Sequence, residues 1–177
     1  YPLAELVERI DWTPFFRSWE LAGRYPEILK DEVVGTEATK LLADAQAMLQ
    51  KVVAEKWIHA KAVIGFFPAH SLGDDIVLFK DEARQTVHTT LHNLRMQMDR
   101  NGQQPNYSLA DFVALQDSGQ ADWLGAFAVS AGFGIEQHLA DFRAKHDDYS
   151  AIMLEALCDR FAEALAEQMH ERVRKEF

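Results

Sequence analysis

Lys61–Phe79 reads KAVIGFFPAHSLGDDIVLF, and this stretch decides the fold class. Lys61 to Phe67 is an apolar run rich in Val, Ile and Phe, the composition of a buried strand. Ser71-Leu72-Gly73-Asp74-Asp75 has turn chemistry: glycine permits unusual dihedrals, and the acids can hydrogen-bond turn amides. Ile76-Val77-Leu78-Phe79 is a second strand, so the pair predicts a hairpin. No Gly-Lys-Ser/Thr follows the glycines, which excludes a P-loop.

Upstream of the hairpin the signals are helical. Residues 3–9 suit a helix or a connector. Thr13 or Asp11 can cap a helix with Pro14 at its first position, running to about Ala22, with Gly23 ending it. Pro26 can open a short helix through Val34, closed by Gly35. A long helix then runs from Thr36 to about Lys56, on the stripe Leu41, Leu42, Ala45, Met48, Leu49 and Val52. Downstream, Thr86–His92 suits a strand running into a helix, Leu94–Arg100 a helix, Asn101–Asn106 a surface loop, and Ser108–Leu115 a strand or loop. Trp123–Ser130 is strand-like and ends in a turn at Ala131–Gly134. Two helices follow, Glu136–Ala144 and Asp148–Phe177. Helices, then strands, then helices, without βαβ alternation, predict an α+β fold with an antiparallel or mixed sheet and long flanking helices.

The last helix carries two ladders. Glu155, Asp159, Glu163, Glu167 and Glu171 stand four residues apart. Leu157, Phe161, Leu165, Met169 and Val173 do the same, offset by two. Two residues are a rotation of about 200° on a helix, so the ladders face opposite ways and the apolar one is bound for a core. Like charges at i,i+4 repel. Either water screens the stripe, or something cationic or proton-seeking meets it.

With 177 residues, 48% hydrophobic and 26% charged, the chain is long and apolar enough for one sizeable core. A net charge of -10 argues against sequence-independent binding to a nucleic-acid backbone. No apolar run is long enough to span a bilayer, and no signal peptide is evident. The one cysteine, Cys158, excludes an internal disulfide and suits a buried, inert thiol in a reducing cytosol. The chain starts at Tyr1 and stops at Glu176-Phe177 in helical stride, as a piece of a larger protein would.

Candidate chemistry is sparse. His88 and His92 have a spacing that holds zinc on a helix, but the metalloprotease Glu and a third ligand are missing, so they read as surface histidines. Asp11 lies beside Trp12, Phe15, Phe16 and Trp19. A carboxylate against aromatic walls suits a cationic small molecule, and helix capping explains the same residue. No nucleophile with a local base stands out, so no catalytic residue is assigned.

Taken in order, these segments resemble the activation domain of cobalamin-dependent methionine synthase. The resemblance is carried by Asp11–Phe16, Trp19–Pro26, Asp31–Gly35, Phe67–Ala69 with Gly73–Ile76, Leu109–Ala114, Gly125–Val129, His146–Tyr149 and His170–Lys175. It implies a C-shaped α+β domain with a twisted antiparallel sheet, in a cytoplasmic enzyme that moves methyl from methyltetrahydrofolate to homocysteine through cobalamin. It implies a reactivation module that binds S-adenosylmethionine and docks on the cobalamin domain for reductive methylation of cob(II)alamin. Flavodoxin or a diflavin reductase would supply the electron, and zinc would belong only to the homocysteine domain of the full enzyme. Asp11 matches the family's S-adenosylmethionine contact. Asp159 matches an acid that meets the histidine released from cobalt, Glu136 lies near a second such acid, and Glu163 stands one turn beyond Asp159. The family's Arg-x-x-x-Gly-Tyr clamp does not occur in residues 1–177, so the resemblance covers the N-terminal part of that domain. A stand-alone relative serving another corrinoid protein and an acidic structural interaction domain are the alternative readings.

Overall fold

A computed structural model describes residues 1–99, 102 and 104–177. Two compact units are distinguished: residues 1–63 with 128–177, and residues 64–127.

The first unit is helical. It holds α1 (Leu3–Leu6), a 3-10 turn at Val7–Arg9, α2 (Trp12–Ser18), a 3-10 turn at Glu27–Lys30, α3 (Gly35–Glu55), α4 (Ile135–Ala144) and α5 (Asp148–Glu176). α5 is its axis and packs against the other four helices. The reason is the apolar ladder: Leu157, Phe161, Leu165 and Met169 are each fully buried. Val173, nearer the end, is half-buried. Asp147 caps α5 by accepting the Ser150 N–H at 3.0 Å. Leu6, Phe15, Phe16, Leu49 and Val52 complete the core from α1, α2 and α3.

The second unit is built on the predicted hairpin. β1 (His59–Leu72) and β2 (Asp75–Phe79) pair antiparallel with Leu72 opposite Asp75, so Gly73-Asp74 is a two-residue turn. Gly73 sits at φ 62°, the left-handed conformation such turns require. β3 (Val87–Leu91) pairs antiparallel with β2, and β4 (Asp122–Phe133) completes an open antiparallel sheet of order β3-β2-β1-β4; residues 59–63 of β1 and 128–133 of β4 belong to the first unit. Ala69, Ile76, Leu78 and Ala110 form the small core of this unit, with Phe67, Val113 and Leu124 packed around it.

The α+β class and the hairpin follow the sequence reading. Several boundaries do not. α2 stops at Ser18, because Glu20 takes a positive φ of 60° and the chain turns before Gly23. Gly35 opens α3 instead of closing a helix: a Cβ there would lie 2.9 Å from the Leu29 carbonyl oxygen, so the close approach needs glycine. No helix covers Leu94–Asp99. Arg95 is instead spread over Asp74, Asp111 and the Asn106 carbonyl, which holds the segment in an irregular, non-helical course. Arg100, Asn101 and Gln103, parts of the predicted helix and loop, lie outside the described residues. Leu109–Phe112 is a 3-10 turn with a reciprocal Ser108–Asp111 capping box, neither strand nor loop.

Candidate functional site

The end of β4, the start of α4 and the third turn of α5 line an open surface cavity of about 410 Å³. Its charged walls are all acidic: Glu136, Glu155 and Asp159. Gly132 and Gly134 shape the entry to α4. Gly134 has φ 98°, and a Cβ there would lie 3.1 Å from the Trp57 carbonyl oxygen. That turn places Glu136 in the first turn of α4. Asp159 enters from α5 because Leu157 and Phe161, on either side of it in sequence, are fully buried and fix the helix rotation.

The three carboxylates are not equivalent. Glu155 accepts a hydrogen bond from Arg143 of α4 at 3.1 Å, which ties α4 to α5 and offsets its charge. Among the described residues neither Glu136 nor Asp159 has a hydrogen-bond or ion-pair partner. Cys158 lines the same cavity, yet only 6% of its surface is exposed. Burial, then the charges of Asp159 and Glu155, push its thiol up to about 12, so it stays protonated and unreactive.

Glu163 does not line this cavity. Arg160 grips it through both guanidinium ends, at 2.6 and 3.0 Å, and Arg160 is itself only 9% exposed. Glu163 thus faces outward as the counterion of a buried arginine. Arg9 and Lys175 both hydrogen-bond Glu171, which is half-buried. The expected solvated face is therefore partly an ion-pair network.

Asp11 is the N-cap of α2, its Oδ1 accepting the Thr13 N–H at 2.9 Å. Its other carboxylate oxygen has no partner among the described residues. The aromatic residues beside it form a core instead of a wall around the carboxylate. Phe15 and Phe16 are fully buried, Trp12 is 9% exposed, and the rings meet edge-to-face at 5.3 and 5.7 Å. Trp19 packs on Phe15 at 6.4 Å and meets Tyr149 at 5.1 Å. The structure does not bring Asp11 into the acidic cavity.

His88 and His92 also separate. His88 falls at the β2–β3 irregularity and stacks on Phe67, whereas His92 contacts Asp75 at 2.8 Å. Among the described residues no group of three or more His, Cys, Asp or Glu side chains could hold a metal, and no helix is long and apolar enough to cross a membrane.

The family model for the vitamin B12 dependent methionine synthase activation domain matches residues 2–177. The chain belongs to this family. A solved structure of the MetH reactivation domain bound to AdoHcy shares 52% sequence identity with it at a TM-score of 0.89. The match covers 99% of this chain and 54% of that one, so this activation-domain chain spans about half the length of its structural neighbour. The resemblance grouped Asp159, Glu136 and Glu163 as docking acids; the cavity holds the first two and not Glu163, and the pairs Arg143–Glu155 and Arg160–Glu163 were missed. The second pair has i,i+3 spacing and was legible in principle; the first joins two helices and has no local signal.

Proposed function

We propose that this activation-domain chain serves reactivation of methionine synthase by contributing to S-adenosylmethionine binding and docking on the cobalamin domain. The observation that carries the docking role is the acidic cavity, where Glu136 and Asp159 stand without partners beside a Glu155 already neutralised by Arg143. Two unpaired carboxylates at one concave surface can accept hydrogen bonds from a protonated imidazole and hold its proton. In this reading Asp159 and Glu136 receive the histidine that leaves cobalt. Glu163, one turn beyond Asp159 and gripped by Arg160, would contribute from outside the cavity.

For the methyl donor, the open oxygen of Asp11 fits the ammonium of S-adenosylmethionine, because a capping carboxylate that uses one oxygen keeps the other as an acceptor. When bound, that cofactor supplies a sulfonium methyl group and leaves as S-adenosylhomocysteine, the species held by the MetH neighbour. One electron, from flavodoxin or a diflavin reductase, accompanies the methyl transfer. Residues 1–177 hold Asp11 without the Arg-x-x-x-Gly-Tyr clamp, so this chain by itself should bind S-adenosylmethionine weakly or not at all.

The deciding experiment is Asp159→Asn in the intact enzyme, with recovery from oxidised cobalamin measured separately from steady-state methyl transfer. Recovery should slow by about tenfold or more, the effect of losing roughly 1.4 kcal/mol, while primary turnover is unchanged. Unchanged recovery would remove Asp159 from the role. Calorimetric titration of residues 1–177 with S-adenosylmethionine checks the second point, and a micromolar affinity would overturn it.

A further inference from the structure

A second cavity, of about 300 Å³, lies among α3, α4 and the start of α5. Its walls include Asp44 and Lys51 of α3, Trp57 just beyond that helix, Phe142 of α4, and Tyr149 and Met153 of α5. We propose that this cavity binds a small zwitterion with an alkylated ammonium head and an anionic tail.

Three aromatic residues share the concavity, and none of them is fully buried. The face of an aromatic ring carries partial negative charge and attracts cations whose hydration is weak, above all methylated ammonium groups. The rings are held in place. His138 stacks on Trp57 at 4.3 Å and 15°, and Phe142 lies 6.3 Å from the indole at 56°. Tyr149 is anchored twice, by Trp19 and by donating its hydroxyl hydrogen to Asp44 Oδ2 at 2.9 Å. Partial burial and the neighbouring carboxylate push the Tyr149 phenol up to about 12, so it remains a donor throughout the neutral range. That bond leaves Asp44 Oδ1 without a partner among the described residues. A formal negative charge thus stands on the wall that carries the rings, as recognition of an onium head requires.

Lys51 decides what the other end of the ligand must be. It follows Asp44 by seven residues on α3, which places it on the same helix face, about 10 Å further along. Among the described residues it has no ion pair. A bare cation would meet repulsion at that end, whereas a zwitterion satisfies both. Thioether side chains such as Met153 suit the alkyl middle, being apolar and adaptable.

The test is titration of the intact protein with γ-butyrobetaine, with its uncharged-head isostere 5,5-dimethylhexanoate, and with tetramethylammonium. Binding is read by calorimetry and by change in indole fluorescence. γ-Butyrobetaine should bind saturably and at least about tenfold more tightly than the isostere. Asp44→Asn and Trp57→Leu should each weaken it by a similar factor. Lys51→Ala, at an exposed position that leaves the fold intact, should weaken γ-butyrobetaine without weakening tetramethylammonium. Equal binding of the isostere, absence of saturation in the millimolar range, or indifference to Lys51→Ala and Asp44→Asn in folded protein would overturn the proposal.

Discussion

Phe161→Ala tests the link between the core and the acidic cavity. Phe161 is fully buried on α5, two residues beyond Asp159. A buried aromatic side chain removes about 150–250 Å² from water. At about 25 cal/mol per Å², truncation forfeits roughly 3–5 kcal/mol once the alanine methyl is credited and the residual cavity charged. Domains of this size are stable by about 5–15 kcal/mol, so the loss is a large fraction of the whole. Urea unfolding followed by far-UV circular dichroism should show the midpoint falling strongly with the slope retained. Glu167→Ala, on the opposite exposed face of the same helix, is the control and should change stability by no more than about 0.5 kcal/mol. A Phe161→Ala cost below about 1 kcal/mol, or a Glu167→Ala cost of equal size, would refute the claim that the apolar ladder fixes the rotation of α5.

Gly134→Ala should cost about 1–3 kcal/mol, because alanine at φ 98° is strained and its Cβ would press on the Trp57 carbonyl; a neutral result in thermal melts would contradict that geometry. Cys158 should resist iodoacetamide at neutral pH in the native protein and react readily once unfolded, since burial pushes its thiol up to about 12. Carboxyl-detected NMR should find Asp111 titrating near about 2, held down first by its hydrogen bonds from Arg95 and then by the Ser108 N–H. Its folded pKa lies below the ordinary value of 3.8, so the stabilisation is complete above that value and is lost as pH falls toward 2. Arg95→Ala should return Asp111 toward the ordinary range.

Much of the fold was legible because its signals are local. The period of 3.6 in α3 and α5 and the apolar runs flanking Gly73-Asp74 name their elements without reference to anything distant. The misplaced elements depend on partners far along the chain. Leu94–Asp99 has helical composition, but Arg95 satisfies Asp74 and Asp111, lying 21 residues before and 16 residues after it, and that network overrides propensity. Gly35 looked like a helix stop because its close approach to Leu29 cannot be read from composition. The site was legible in the same uneven way. The ladders fixed which face Asp159 occupies, and resemblance singled it out. Only tertiary structure shows that Glu136 shares its cavity while Asp11 does not.

The acidic ladder of α5 is therefore five carboxylates in five different situations. Repulsion at i,i+4 is worth a few tenths of a kcal/mol per pair in an isolated helix, and most of it is relieved by cations outside the ladder. Arg143 takes Glu155, Arg160 takes Glu163, and Arg9 with Lys175 takes Glu171. That leaves Glu167 and Asp159. Glu167 lines a concavity that also holds Arg9, His170, Arg174 and Lys175, so its surroundings carry compensating charge. Asp159 opens onto one whose charged side chains are all acidic. A solubility stripe would expose all five equally. α5 instead has three of its ladder acids paired with cations and leaves Asp159 unpaired beside Glu136 of α4, and that local excess of negative charge is the feature on which the proposed docking role rests.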